Sequence, residues 1–210
     1  MNTPTGKDYA ALDQHSLKAA KARLVQAMLP YGLDVTDDVT VARPRKGRPG
    51  VVGYYARMSQ FRSRARIVVD AIAIRQGLEE IGQDDEDFEA EVRHEIQVTV
   101  GHEYGHSVAE ALRFLTYIDR SLSVPDWRRH FGDDEEAMAE SLGCLLAGTP
   151  RSEDSAFWSD FLPQFGTEMA REKRRAAQSV VGPVAGSQVC GTVGRSQSIN
   201  PERKSHANRP

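Results

Sequence analysis

Residues 102–106 read His102-Glu103-Tyr104-Gly105-His106. Two histidines four apart on a helix project from one face, one turn above the other. Their imidazole nitrogens can then meet at one metal ion, and zinc accepts such nitrogens at about 2.0–2.1 Å. Glu103 follows its histidine directly and is rotated to the side of the pair. From there it reaches the attacking water without ligating the ion, which is the position of a general base. The chemistry these residue types suit is hydrolysis. Activated water attacks a carbonyl, and Glu103 takes its proton and passes it to the leaving amine.

A catalytic zinc needs three protein ligands and one open position. The stretch 133–143, DDEEAMAESLG, offers carboxylates on a second helical segment. Glu136 and Glu140 are four apart and share a face, which continues through Gly143 and Ala147 with Ala139 beside it. Small side chains there let two helices approach closely enough for one ion to bridge them. Glu136 is the expected third ligand, with Glu140 and Glu135 as the alternatives. If Glu136 ligates, Glu140 is expected to accept the other ring N–H of a ligand histidine and fix its orientation. Two histidines and a glutamate suit one Zn2+ per chain. Gly101 and Gly105 each cost about 1 kcal/mol in a helix interior, so a strand or a substrate backbone is expected to pass close to Gly105.

Other residues are assigned around this centre. Candidates to stabilise an oxyanion are Tyr104, Tyr117, Arg128, Arg129 and His130. Glu110, one turn after His106, is read as a surface charge. His94 is read as structural or exposed, since three ligands are already available. Cys144 is expected to be a small core residue. Trp127, Phe157, Trp158 and Phe161 are expected to pack rather than to bind substrate.

The elements that must position these residues follow from periodicity and breakers. Residues 9–29 carry Leu12, Leu17, Ala20, Leu24 and Met28 at helical spacing, and Pro30 and Gly32 end that helix. Segments 33–42, 51–58 and 65–74 have β character, with a turn or loop at 43–50 (RPRKGRPG). Short links between them predict a small, mainly antiparallel sheet. The 65–74 strand is expected to border the cleft and to take an extended substrate on its edge. Arg57, Arg62, Arg64 and Arg66 nearby could favour acidic substrate segments, but a solvated strand face is the commoner explanation for them. A long helix over 87–118 carries the HExxH residues, and a second runs from Asp133–Asp134 to about Leu146. Residues 154–170 predict a last short helix. The fold class expected is α+β, with one domain over 1–170 and a disordered tail over 171–210.

Composition bounds the rest. The 210 residues are 40% hydrophobic and 27% charged, which is ordinary for a globular chain. No apolar run approaches the roughly 20 residues of a membrane span. No basic region followed by an apolar one opens the chain, so a cytoplasmic location is expected. Two cysteines, Cys144 and Cys190, make no disulfide framework. From Arg171 onward eight Lys/Arg stand against two Asp/Glu. Such a tail touches nucleic acid at most weakly, and a solvated extension is the simpler reading.

HEYGH followed by Glu136-Ala137-Met138-Ala139-Glu140 resembles the gluzincins, metallopeptidases with HExxH and a glutamate ligand. An N-terminal helix, then short strands with Gly53-Tyr54-Tyr55 and Ile67-Val68-Val69-Asp70, then the HExxH helix resembles the ImmA/IrrE family over residues 10–150. Ala139-Glu140 is similar to the metallopeptidase domain of ArdC-type antirestriction proteins. These resemblances imply a zincin-like fold and a zinc endopeptidase that cleaves an intracellular regulatory protein, for instance a DNA-binding repressor. An antirestriction or effector-type protease is the alternative, as is a catalytically silent metal-binding regulatory module. The stretch Ala137-Met138-Ala139-Glu140-Ser141 lacks the Asn and Phe-Ala usual in ImmA/IrrE proteins.

Overall fold

The computed structural model describes residues 6–44, 52–57, 65–81 and 87–180. Among these residues the chain is α+β, largely helical, with one small sheet. Helix α1 (Gly6–Met28) buries Leu17, Ala20, Leu24 and Met28, the stripe expected from spacing. A 3-10 turn follows at Leu29–Tyr31 with Pro30 at its start, and Gly32 closes it at φ 73°. Strands β1 (Val39–Ala42), β2 (Gly53–Arg57) and β3 (Ala65–Val69) form the sheet in the order β1-β3-β2.

The sheet is mixed rather than mainly antiparallel. β3 pairs β1 in parallel and β2 antiparallel. It is therefore the central strand, with both edges occupied, and offers none to a substrate. The expected strand 65–74 also stops early. Asp70 accepts a hydrogen bond from the Ala73 amide at 3.2 Å and starts helix α2 (Ala71–Glu80). The Ala71-Ile72-Ala73-Ile74 alternation suits a strand, yet the buried set Ala71, Ile74, Arg75 and Leu78 has helical spacing. Capping and tertiary burial override the two-residue alternation.

Helix α3 (Phe88–Ile118) is the spine. Its buried stripe runs Val92, Ile96, Val100, Tyr104, Val108, Leu112 and Leu115. After the short α4 (Trp127–Phe131), helix α5 (Glu135–Ala147) begins at Asp134, whose side chain accepts from the Ala137 amide at 3.1 Å. Arg23 of α1 reaches the other end of α5, donating to the Leu146 and Ala147 carbonyls at 3.2 and 2.9 Å. A cation there satisfies carbonyls that the helix itself cannot.

Helix α6 (Ser155–Val180) is longer than expected and continues past the boundary read at 171. The rest of the basic tail, with Cys190, lies outside the described residues. Trp158, Phe161 and Phe165 of α6 are fully buried, as packing residues should be. Under α5 they enclose a polar chain. Trp158 Nε1 donates to Ser141 Oγ at 2.8 Å, Ser141 Oγ donates to Asp154 Oδ2 at 2.5 Å, and His130 Nε2 donates to Asp154 Oδ1 at 2.9 Å. Asp154→Ala removes the shared acceptor from a buried site, and a loss of about 2–3 kcal/mol is expected. In urea unfolding the midpoint should fall with the slope unchanged. Among the described residues, no helix is long and apolar enough to cross a membrane.

Candidate metal centre

The centre lies where α3 and α5 cross. A Cβ built on Gly105 would sit 2.7 Å from the Ala139 Cα, and one on Gly101 would sit 2.8 Å from the Gly143 Cα. Glycine is required on α3 because the backbone of α5, not a strand or a substrate, fills that space. The contact holds His102 and His106 against the first turns of α5, where Glu135, Glu136 and Glu140 emerge.

Within this crossing three donor groups converge. His102 Nε2 and His106 Nε2 are 3.2 Å apart. Glu136 Oε2 is 3.3 Å from His102 Nε2, and Glu136 Oε1 is 3.6 Å from His106 Nε2. Among the described residues, His102, His106 and Glu136 form the one group of donors close enough together to hold an ion. Two atoms bound to one tetrahedral zinc at about 2.0–2.1 Å must lie about 3.3–3.4 Å apart. The His102–His106 and His102–Glu136 separations, 3.2 and 3.3 Å, lie close to that value, and one donor atom from each of the three residues lies within 4.8 Å of the other two, so the donor set suits the ion in its chemistry and approximate spacing.

The opposite ring nitrogens are also held. His102 Nδ1 faces Glu140 Oε2 at 3.5 Å, and His106 Nδ1 donates to Glu135 Oε1 at 3.0 Å. The His106 bond selects the tautomer that leaves its Nε2 free to ligate, and Glu140 stands within ion-pair distance of the other ring. Glu140 stands where the sequence placed it. Glu135, considered there only as an alternative ligand, lies on the far side of His106 and also pairs with Arg113.

Glu103 is 6% exposed, against the sheet rather than in open solvent. A Cβ on Gly53 would meet Glu103 Oε1 at 3.0 Å, so β2 passes this close because residue 53 has no side chain. Two residues on, the Tyr55 amide donates to the Glu103 carboxylate. Burial pushes the Glu103 carboxyl above its ordinary range, with a smaller push from Glu136. The neighbouring His102 and His106 and the Tyr55 amide oppose the rise. A raised carboxyl is the more effective proton acceptor near neutral pH.

Around these groups opens a cleft of about 840 Å³ between β2, α3 and α5. Six glutamates line it, Glu95, Glu103, Glu110, Glu135, Glu136 and Glu140, with Arg113 as the Lys/Arg partner in its wall. That balance opposes a preference for acidic segments and agrees with a solvated role for the strand arginines. Arg66 does not line the cleft. Arg62, Arg64 and the Arg57 side chain lie outside the described residues.

None of the oxyanion candidates read from the sequence lines the cleft. Tyr104 is buried in the core, and that burial pushes its hydroxyl well above the ordinary range. Tyr117 is 86% exposed elsewhere. Arg128 pairs with Asp133 over the Trp127 ring, Arg129 pairs with Asp126, and His130 belongs to Asp154. Polar groups that do line it are Tyr54, Tyr55 and Arg113. Glu110 is not a bare surface charge either, since it accepts from the Tyr55 hydroxyl at 2.6 Å in the cleft wall. Cys144 is half-buried in that wall beside Glu140 rather than in the core. His94 lines the cleft outside the donor group. The local signals for these roles were slight: Gly53 ahead of two tyrosines, and a second glutamate beside Glu136. No protein-family model, curated protein or solved structure matches the chain.

Proposed function

We propose that this chain is a zinc-dependent endopeptidase of zincin-like design, with His102, His106 and Glu136 as the ligands and Glu103 as the general base. The observation that carries the reading is the convergence of two imidazole nitrogens and one carboxylate at ligand spacing, beside a buried carboxylate that faces the same cleft. Zinc held there would supply a Lewis acid for the scissile carbonyl and bring the pKa of its water to about 7.

The chain's own groups then divide the work. Glu103 takes the proton of the attacking water and delivers it to the leaving nitrogen. The Tyr55 amide holds the Glu103 carboxylate in place. β2 is an edge strand along the cleft, so an extended peptide can lie beside it with its carbonyls toward the centre. The glutamate-rich lining favours neutral or basic segments over acidic ones. An intracellular regulatory protein such as a DNA-binding repressor remains the proposed class of substrate, on the resemblance to ImmA/IrrE proteins.

Metal analysis of the purified full chain tests the premise. About one zinc per chain is expected, and its removal by a chelator should lower the melting temperature, since an ion that binds only the folded state stabilises it. Glu136→Ala should weaken zinc binding by more than about 100-fold, beyond what loss of an outer partner causes. A wild-type protein that takes up no zinc when titrated with one equivalent would end the proposal.

A further inference from the structure

Each of the three α5 carboxylates at the centre has both oxygens engaged, and in different ways. Glu136 turns Oε2 to His102 Nε2 and Oε1 to His106 Nε2. Glu135 gives Oε1 to His106 Nδ1 and Oε2 to Arg113 Nη2. Glu140 gives Oε2 to His102 Nδ1, and Oε1 faces Arg151 Nη2 at 3.5 Å. Two relays of the same composition, arginine to glutamate to histidine, thus reach the two imidazoles, one at each ring.

The geometry points to Arg113 and Arg151 as positioning residues that commit Glu135 and Glu140 to the histidines, so that Glu136 alone is left for the ion. The inference rests on the zinc reading above. Three glutamates start or follow the first turns of α5 within reach of one dication, and each unclamped carboxylate competes to bind it directly. An arginine on the outer oxygen removes that option in two ways. It occupies the second oxygen, and its charge balances the carboxylate, which then has less to gain from the metal. What the histidine receives is a fixed acceptor, which orients the ring and selects its tautomer.

The two relays differ in strength. The Glu135 relay reaches its histidine at 3.0 Å against 3.5 Å for Glu140, and the Glu135 side chain is 26% exposed against 44% for Glu140, although Arg113 itself is 52% exposed. The Arg151–Glu140 pair is longer, and both partners are more than two-fifths exposed, so water and salt screen it. Arg113 therefore carries more of the effect.

Zinc titration of the metal-free full chain against a competing chelator measures the effect without any substrate. Arg113→Ala should weaken zinc binding by about 10- to 100-fold, and Arg113→Lys should restore part of the loss. Arg151→Ala should cost about twofold to fivefold. Arg171→Ala, which among the described residues pairs with Asp119 and Glu168 away from the centre, should change nothing. The metal-free variants should unfold in urea at the wild-type midpoint. With cobalt in place of zinc, the visible spectrum of Arg113→Ala should shift as the freed Glu135 carboxylate joins the ligands. An Arg113→Ala affinity within twofold of wild type overturns the inference. So does a fall in the metal-free midpoint that accounts for the whole loss. Both results leave zinc bound to the wild type, whereas a wild type without zinc removes the proposed function itself.

Discussion

Glu103→Gln is expected to lower kcat/KM for peptide hydrolysis by about 10²- to 10⁴-fold while leaving zinc content at the wild-type level. The two halves of that result test different things. Glutamine keeps the volume of the side chain, which matters because Glu103 is packed against Gly53 and Thr99. Its amide oxygen can still accept from the Tyr55 N–H, so the contact with β2 survives. What it cannot do is take a proton from water. The loss corresponds to about 3–5 kcal/mol of transition-state stabilisation, ascribable to that one proton transfer. The measurement is cleavage of a peptide library read by mass, beside metal analysis of the same preparation. Retained cleavage would remove Glu103 from the base role. Lost zinc would make Glu103 a ligand and force a different donor set. Glu103→Ala is the poorer test, because it also opens a void under β2.

The parts of the centre that could be read from sequence are those one helix fixes by itself. His102 and His106 share a face because of the helical repeat, and Glu103 is rotated from them for the same reason. The face of α5 is equally local, and Glu136 and Glu140 occupy the places their spacing allots. The partners that come from elsewhere left almost no local trace. Arg113 and Arg151 are ordinary surface arginines until α3 and α5 cross. Tyr55 meets Glu103 only because β2 packs against α3. Strand order was hidden because pairing depends on loops whose path composition does not specify. β3 inserts between β1 and β2 and is parallel to one and antiparallel to the other. Helix α2 is hidden in the sequence where Ala71-Ile72-Ala73-Ile74 satisfies two periods at once. Its cap, Asp70, was the better guide. The length of α6 is equally hidden, because a polar, charged stretch reads as disorder, although here it continues a helix whose aromatic first half is anchored in the core.

Gly143→Ala should combine a stability loss of about 1–3 kcal/mol with a clear weakening of zinc binding, for a single methyl group. The added Cβ would lie 2.7 Å from the Val98 carbonyl oxygen and 3.0 Å from the His102 amide nitrogen. Both are backbone atoms of α3, which no rotamer change can move aside. Relief must come from α3 and α5 moving apart. Glu136 would then withdraw from two nitrogens it now faces at 3.3 and 3.6 Å. A ligand set spanning two helices is sensitive to this in a way that the HExxH helix alone is not. Gly77→Ala supplies the opposing case on the same chain. Gly77 lies inside α2, and nothing is within 4 Å of its would-be Cβ. Alanine there should stabilise the protein by about 0.5–1 kcal/mol and leave zinc affinity alone, because only the backbone entropy of glycine is removed. Urea unfolding of the metal-free forms and zinc titration of both variants give the four numbers needed. If Gly143→Ala bound zinc as wild type does, close approach of α3 and α5 would not be what assembles the ligands. The convergence of His102, His106 and Glu136 would then need another cause.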